Sequence, residues 1–152
     1  MARIEEQIEI AAPPTTVFRL CHDISLRAKW DERVVGIEML TTKPARAGTL
    51  LRIDARQSNG PVFSWEGEYV NLQFPRSSEL RVLDAAPSSW FNSGKEEWRF
   101  SAVGSGTRFT LVWDYRPRGF LGRILDQLGR RTSMQRAIRR SLSNLKTLVE
   151  SQ

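Results

Sequence analysis

The sequence predicts an α+β fold, a curved antiparallel sheet of about seven strands around a long C-terminal helix, with two short helices after the first strand. Three observations predict it. Gly104-Ser105-Gly106 is a turn between two alternating runs. Consecutive alternating segments separated by turn residues fill the middle of the chain, the pattern of an antiparallel meander. After Pro117 and Gly119 the apolar period becomes helical almost to the C-terminus. A sheet bent around one helix often encloses a cavity.

Each element follows from its local pattern. Ile4, Ile8 and Ile10 alternate with Arg3, Glu5, Gln7 and Glu9, the period of a strand with one buried face. Pro13 and Pro14 interrupt pairing, and Thr15-Thr16 are expected to cap a short helix carrying Val17, Phe18 and Cys21, closed by His22-Asp23. Ser25 is expected to cap a second short helix through Leu26, Ala28 and Trp30. Val35, Ile37 and Met39 share a strand face that ends near Lys43-Pro44, and Leu51, Ile53 and Ala55 share the face of the next strand. Asn59-Gly60 is a hairpin turn signal. Strands then follow over 62–74, 79–86, 95–103 and 107–115, bounded by Pro75, Pro87 and the Gly104-Ser105-Gly106 turn.

The final helix carries two apolar stripes. Leu121, Ile124, Leu125 and Leu128 form one, and Met134, Ile138, Leu142, Leu145 and Val149 form another, displaced around the axis by something like a quarter turn at ~100° per residue. A bend between Gly129 and Ser133 reconciles them, with Ser133 restarting the helix as an internal cap.

With 152 residues, 40% hydrophobic and 26% charged, the chain fits one soluble domain over 1–152. No apolar run approaches the ~18 residues of a spanning helix, and the N-terminus lacks the apolar core of a secretion signal, so a cytoplasmic location is expected. One cysteine and one histidine exclude an internal disulfide and Cys/His zinc spacing, and no metal or cofactor is indicated. The charge is uneven. Residues 115–152 hold 9 Lys/Arg against 2 Asp/Glu, a net +7, while residues 1–114 hold 14 against 15, a net −1.

The order of elements, together with Ile10-Ala11-Ala12-Pro13 and Val17-Phe18, Asp23 with Trp30, Trp98-Arg99-Phe100 followed by Gly106-Thr107, and the segment 142–150, resembles the START / Bet v 1-like (SRPBCC) superfamily. Within it the likeness is to the polyketide cyclase/dehydrase and lipid-transport group. The resemblance spans nearly the whole chain and implies a helix-grip fold with an apolar cavity. Members bind lipids, sterols, quinones or aromatic polyketides, and only some are catalysts.

Alternation places Leu51, Ile53, Trp98, Phe100, Phe109, Leu111, Trp113 and Tyr115 on the concave face, either as close-packed core or as the wall of a site for a flat hydrophobic ligand. Leu121, Ile124, Leu125 and Leu128 would supply the opposite wall. Glu96 shares the inward face of Trp98 and Phe100. A carboxylate beside apolar rings is expected to hold its proton more tightly, a candidate acid/base for cyclase or dehydratase chemistry, unless an arginine pairs with it. Arg131 is the candidate partner. Glu66 and Glu68 share a face opposite Trp65 and Tyr69, and alternation alone leaves open which set points inward. Trp90 and Phe91, in the segment 88–94, suit a cavity mouth, a plug or a dimer contact. Cys21 reads as a buried thiol.

A binding or carrier protein for a small hydrophobic molecule is the favoured reading, with an enzyme using Glu96 as the alternative. A third reading is a basic module that meets anionic membrane through Arg136, Arg139 and Arg140. The absence of aromatic residues among these arginines argues against nucleic acid.

Overall fold

The computed structural model describes residues 1–41, 45–57 and 60–152. The expected strand end at Lys43-Pro44 and the Asn59 half of the Asn59-Gly60 turn lie outside the described residues. Seven strands form one antiparallel sheet: β1 (Ala2–Ile10), β2 (Val34–Met39), β3 (Leu50–Ala55), β4 (Phe63–Gln73), β5 (Ser77–Ala85), β6 (Phe91–Val103) and β7 (Gly106–Pro117). Their order across the sheet is β1-β7-β6-β5-β4-β3-β2, so the first strand crosses over to pair with the last and every other neighbour is a hairpin partner. Among the described residues no helix is long and apolar enough to cross a membrane.

The β6–β7 hairpin is the longest, pairing from Phe91↔Pro117 to Val103↔Gly106 with one register shift between Phe91 and Ser93. Its two-residue turn uses Gly104 at φ 59°, a conformation that costs a glycine little. β6 starts at Phe91, ahead of the expected Lys95, because Phe91 and Trp90 are buried rather than part of an open loop. In β2 the expected face shifts. A bulge between Val34 and Gly36 turns Val34 inward and leaves Val35 exposed.

The short helices α1 (Pro14–His22) and α2 (Arg27–Trp30) fill the connection between β1 and β2. Neither is capped as expected. Pro14 occupies the first turn of α1, after Pro13 as N-cap, and Thr15-Thr16 lie inside it. Ser25 instead bonds the carboxylate of Asp23, and Leu26 precedes α2.

The C-terminal segment bends where the stripes diverge. α3 (Gly119–Leu125) runs into a wider π-type turn (Asp126–Arg130) in which Gly129 has non-helical angles, and α4 (Arg131–Glu150) continues from there. α4 starts ahead of Ser133 and has no side-chain cap. Its buried stripe of Met134, Ile138, Leu142, Leu145 and Val149 packs into the concave face of the sheet. Each such side chain contributes roughly 1.5–3 kcal/mol by leaving water. Ser141 accepts the backbone N–H of Glu32 at 2.9 Å, and Asn144 donates to the Trp30 carbonyl, so α4 also fixes the segment between α2 and β2.

The stripe of α3 points the other way from the expectation. Gly122 and Asp126, one turn apart, face inward, and Leu121, Ile124, Leu125 and Leu128 face solvent. The cause is Asp126, which is buried and accepts the Tyr115 hydroxyl of β7. That bond turns the helix so that its apolar side is outward.

Candidate functional site

Between the sheet and α4 lies a cavity of about 40 Å³. Its floor is Ile53, Ala55, Phe63 and Trp65 of β3 and β4, with Glu96 and Trp113 of β6 and β7; Met134 of α4 covers it, and Arg27, Arg33 and Val34 close one end. Trp90 and Phe91 stand at the other end. Gln57, Phe63 and Trp90 also border an open outer hollow of about 380 Å³ reaching Gly129 and Arg130. Gln57, Phe63 and Trp90 therefore lie between the inner cavity and the outer hollow, and the Arg130 guanidinium stands 5.8 Å from the Trp90 ring centre.

The interior is mostly rings in contact. Trp113 meets Phe91 edge-on at 5.2 Å and Trp65 at 6.4 Å, and Phe109 packs on Phe100 and Trp98. Gly94 makes room for this, since a Cβ there would fall 2.6 Å from Cη2 of Trp113. We expect Gly94→Ala to destabilise the fold by about 1–3 kcal/mol through overpacking and to alter Trp113 fluorescence. Thermal melting with emission spectra checks this, and an unchanged spectrum would show that the indole does not lie there.

Three polar atoms around the cavity have no hydrogen-bond partner among the described residues: Oε1 of Gln57 and Nε1 of Trp90 and Trp113. Buried polar atoms are normally satisfied, because leaving one bare costs about 1–3 kcal/mol. Two donors and one acceptor on residues that line the cavity are therefore left without a partner.

Glu96 faces inward as expected, but arginines meet it there. Arg33 Nη1 donates to its Oε1 at 2.7 Å, while Trp98 Nε1 at 3.1 Å and Arg27 Nη2 at 3.4 Å reach Oε2. Both arginines also hold Asp31, Arg27 through Nε at 2.9 Å and Arg33 through Nε at 3.0 Å and Nη2 at 2.9 Å. Two cations and two anions thus cancel in the interior. Burial alone would raise the Asp31 carboxyl, but the charges and hydrogen bonds of Arg33 and Arg27 outweigh it and hold the group well below the usual carboxylate range. Arg27 also lies 4.7 Å from the Trp98 ring centre.

The other sequence-predicted residues divide. Ile53 and Trp113 line the cavity, and Trp98 with Glu96 lines a narrow cleft beside it. Leu51, Phe100, Phe109 and Leu111 are buried in the packed core and do not reach the cavity. Tyr115 is bound to Asp126, and burial first, then that bond, pushes its hydroxyl pKa up. Leu121, Leu125 and Leu128 are on the outside and form no opposite wall; Met134 takes that place. Arg131 pairs with Asp126 at 2.5 Å and not with Glu96. On α4, Arg139 pairs with Glu6 and Arg140 with Glu32, while Arg136 is exposed.

The structure decides the face of β4 that alternation left open, and it adds lining residues that the sequence did not single out. On β4, Phe63, Trp65 and Tyr69 point inward, and Glu66 and Glu68 outward, with Glu68 paired to Arg81. Arg27 and Arg33 were missed although Arg27 stands four residues before Asp31, a helical ion-pair spacing next to the apolar Trp30. Cys21 is a buried thiol, and burial pushes its pKa up.

An antiparallel sheet curled about a long C-terminal helix, with a small aromatic cavity between them, defines a helix-grip protein. The chain belongs to the family described as polyketide cyclase / dehydrase and lipid transport, which it matches over residues 1–150. Among solved structures it is similar to the TTHA0849 protein from Thermus thermophilus, at 22% identity and a TM-score of 0.82, covering 99% of this chain and 98% of that one. The Zhui aromatase/cyclase from Streptomyces sp. R1128 matches at 18% identity and 0.80, over 98% of this chain and 93% of that one. A START superfamily protein from Mycobacterium smegmatis matches at 14% identity and 0.77, over 98% and 97%. At these identities the likeness is one of fold. No curated protein matches the chain significantly.

Proposed function

We propose that this protein binds a small, flat, mainly apolar molecule carrying a hydrogen-bond acceptor, held between the sheet and α4. The observation that carries the reading is the aromatic cavity with two bare indole N–H groups and the bare Gln57 oxygen. A carbonyl or hydroxyl oxygen of a bound ring would satisfy the donors. Ligand sites usually occupy about 300–1,000 Å³, far more than the cavity now holds. Trp90 lines both the cavity and the outer hollow, and its displacement would open the one toward the other and give a ligand the room it needs. Trp90 is thus a plug, and binding includes its displacement.

The second reading, an enzyme with Glu96 as acid/base, is favoured by the place of Glu96 on the cavity wall and by the fold shared with an aromatase/cyclase. Against it, both Glu96 oxygens already accept N–H donors, so any proton transfer must break an ion pair. The binding reading therefore leads.

1,4-Naphthoquinone is a suitable probe, followed by tryptophan quenching and native mass spectrometry. Trp90→Ala is expected to bind it more readily by removing the plug. Ala55→Leu, which fills the cavity, should abolish binding while the chain still melts cooperatively. If the wild type and Trp90→Ala both fail to bind any such ring, the carrier reading falls. Glu96→Gln separates the readings, because a carrier retains affinity and an enzyme loses turnover with binding preserved.

A further inference from the structure

We infer that the outward face of α3 and the π-type turn is a docking surface for an anionic phospholipid bilayer. Phe120, Leu121 and Leu128 are 78%, 67% and 77% exposed, with Ile124 and Leu125 between them. Large apolar side chains gathered on one face of a helix mark an interaction site, since scattered ones suffice to explain ordinary surfaces. This face is not a frayed core helix turned by accident. Gly122 and Asp126 on the opposite side are buried, Asp126 is bound by Tyr115 and Arg131, and Arg118 clasps the carbonyls of Ala86, Ser89 and Phe91 at the start of the helix. The scaffold holds the apolar side out.

The border of the patch is cationic. Arg116, Arg123 and Arg131 line an open hollow of about 490 Å³ together with Met1, and Arg130 lies toward the far end. Among the described residues neither Arg116 nor Arg123 pairs with a carboxylate. The only acid of the segment, Asp126, is buried and neutralised by Arg131. An apolar centre with an arginine rim is the chemistry of a helix lying in the plane of an anionic interface, with its side chains among the acyl chains and its guanidiniums at the phosphates. A second copy of this chain fits less well, because pairing two such faces would gather the unpaired arginines of both copies around the contact while Asp126, the acid of the segment, stays buried and bound to Arg131. Arg136, Arg139 and Arg140 on the body of α4 serve this purpose less, since Arg139 and Arg140 already face glutamates.

The patch ends at Leu128, next to Gly129 and Arg130 on the outer hollow that Trp90 closes. Docking there would set the mouth of the cavity at the bilayer. That consequence rests on the proposed ligand binding; the docking does not.

Flotation of the full chain with phosphatidylcholine vesicles, with and without phosphatidylglycerol, tests it. The wild type should float with phosphatidylglycerol vesicles, less so as salt is raised. Leu121→Ser with Leu128→Ser should cut the partition by about tenfold or more, and Arg123→Glu by roughly fivefold on anionic vesicles with little change on neutral ones. Arg136→Glu on α4 should act more weakly than Arg123→Glu. All these positions are exposed, so circular dichroism melting should stay near wild type. Absence of flotation, or leucine variants that float like the wild type, would overturn the inference. So would self-association in sedimentation velocity that the leucine variants abolish, which would give the face to a second copy.

Discussion

Replacing Asp31 with alanine is expected to destabilise the protein by about 3–5 kcal/mol, the usual result of leaving a buried charge without its counter-ion. Asp31 is fully buried and accepts five hydrogen bonds: three from side-chain nitrogens of Arg33 and Arg27 within 3.0 Å, one from the Arg33 backbone at 3.1 Å, and one from the Val34 backbone at 3.1 Å through its carbonyl. Without its carboxylate, two guanidiniums face Glu96 alone, and Arg27 reaches it only at 3.4 Å. Glu96→Gln keeps shape and one acceptor, so its cost should be smaller. Urea unfolding at neutral pH measures both, and an Asp31→Ala loss under about 1 kcal/mol would mean that water solvates the cluster. The pH dependence has a sign. A carboxyl held low in the folded state contributes fully above its unfolded value near 3.8, and the contribution declines as pH falls below that. Asp31→Ala should therefore lose acid sensitivity in that range.

The fold was legible because strands and turns write themselves into alternation and glycine placement. Glu96, Trp98 and Phe100, and Phe109 to Tyr115, take the inward face that period 2 assigns them. The bend at Gly129 follows from two stripes that no straight helix can align. The direction of a stripe is another matter. Periodicity shows that Leu121, Leu125 and Leu128 share a face, and it does not show whether that face meets the core. A single buried bond from Tyr115 to Asp126 decides it, and that contact joins residues whose pairing no local pattern reveals. The site was less legible for a similar reason. Arg27, Asp31 and Arg33 look like a solvated loop when read singly, because charges mostly lie outside. They become interior only when set against Glu96 sixty or more residues away. Val35 misled because a one-residue bulge exchanges the two faces of a strand.

A fall in stability between about pH 6.5 and pH 4 is the other large effect expected, and its source is His22. The half-buried ring stacks on Phe18 at 4.0 Å and meets Trp98 at 5.0 Å, at the edge of the aromatic core. Its neutral form fits both neighbours: Nδ1–H donates to the Phe18 carbonyl and Nε2 accepts the Ser78 hydroxyl, each at 2.8 Å. Burial drives its pKa down to about 4; the Phe18 bond opposes this, and the positive charge of Arg27 adds to it. Below pH 6.5 the unfolded chain takes up a proton that the folded chain refuses, so stability is complete above that pH and falls as pH drops toward 4. The gap corresponds to about 3 kcal/mol. Urea midpoints at pH 8, 6, 5 and 4 should trace this slope in the wild type. His22→Gln, whatever its stability at pH 8, should lack it, because glutamine takes up no proton. A wild-type profile flat across that interval would mean that the imidazole is open to water, and the packing of α1 on β6 would need to be redrawn.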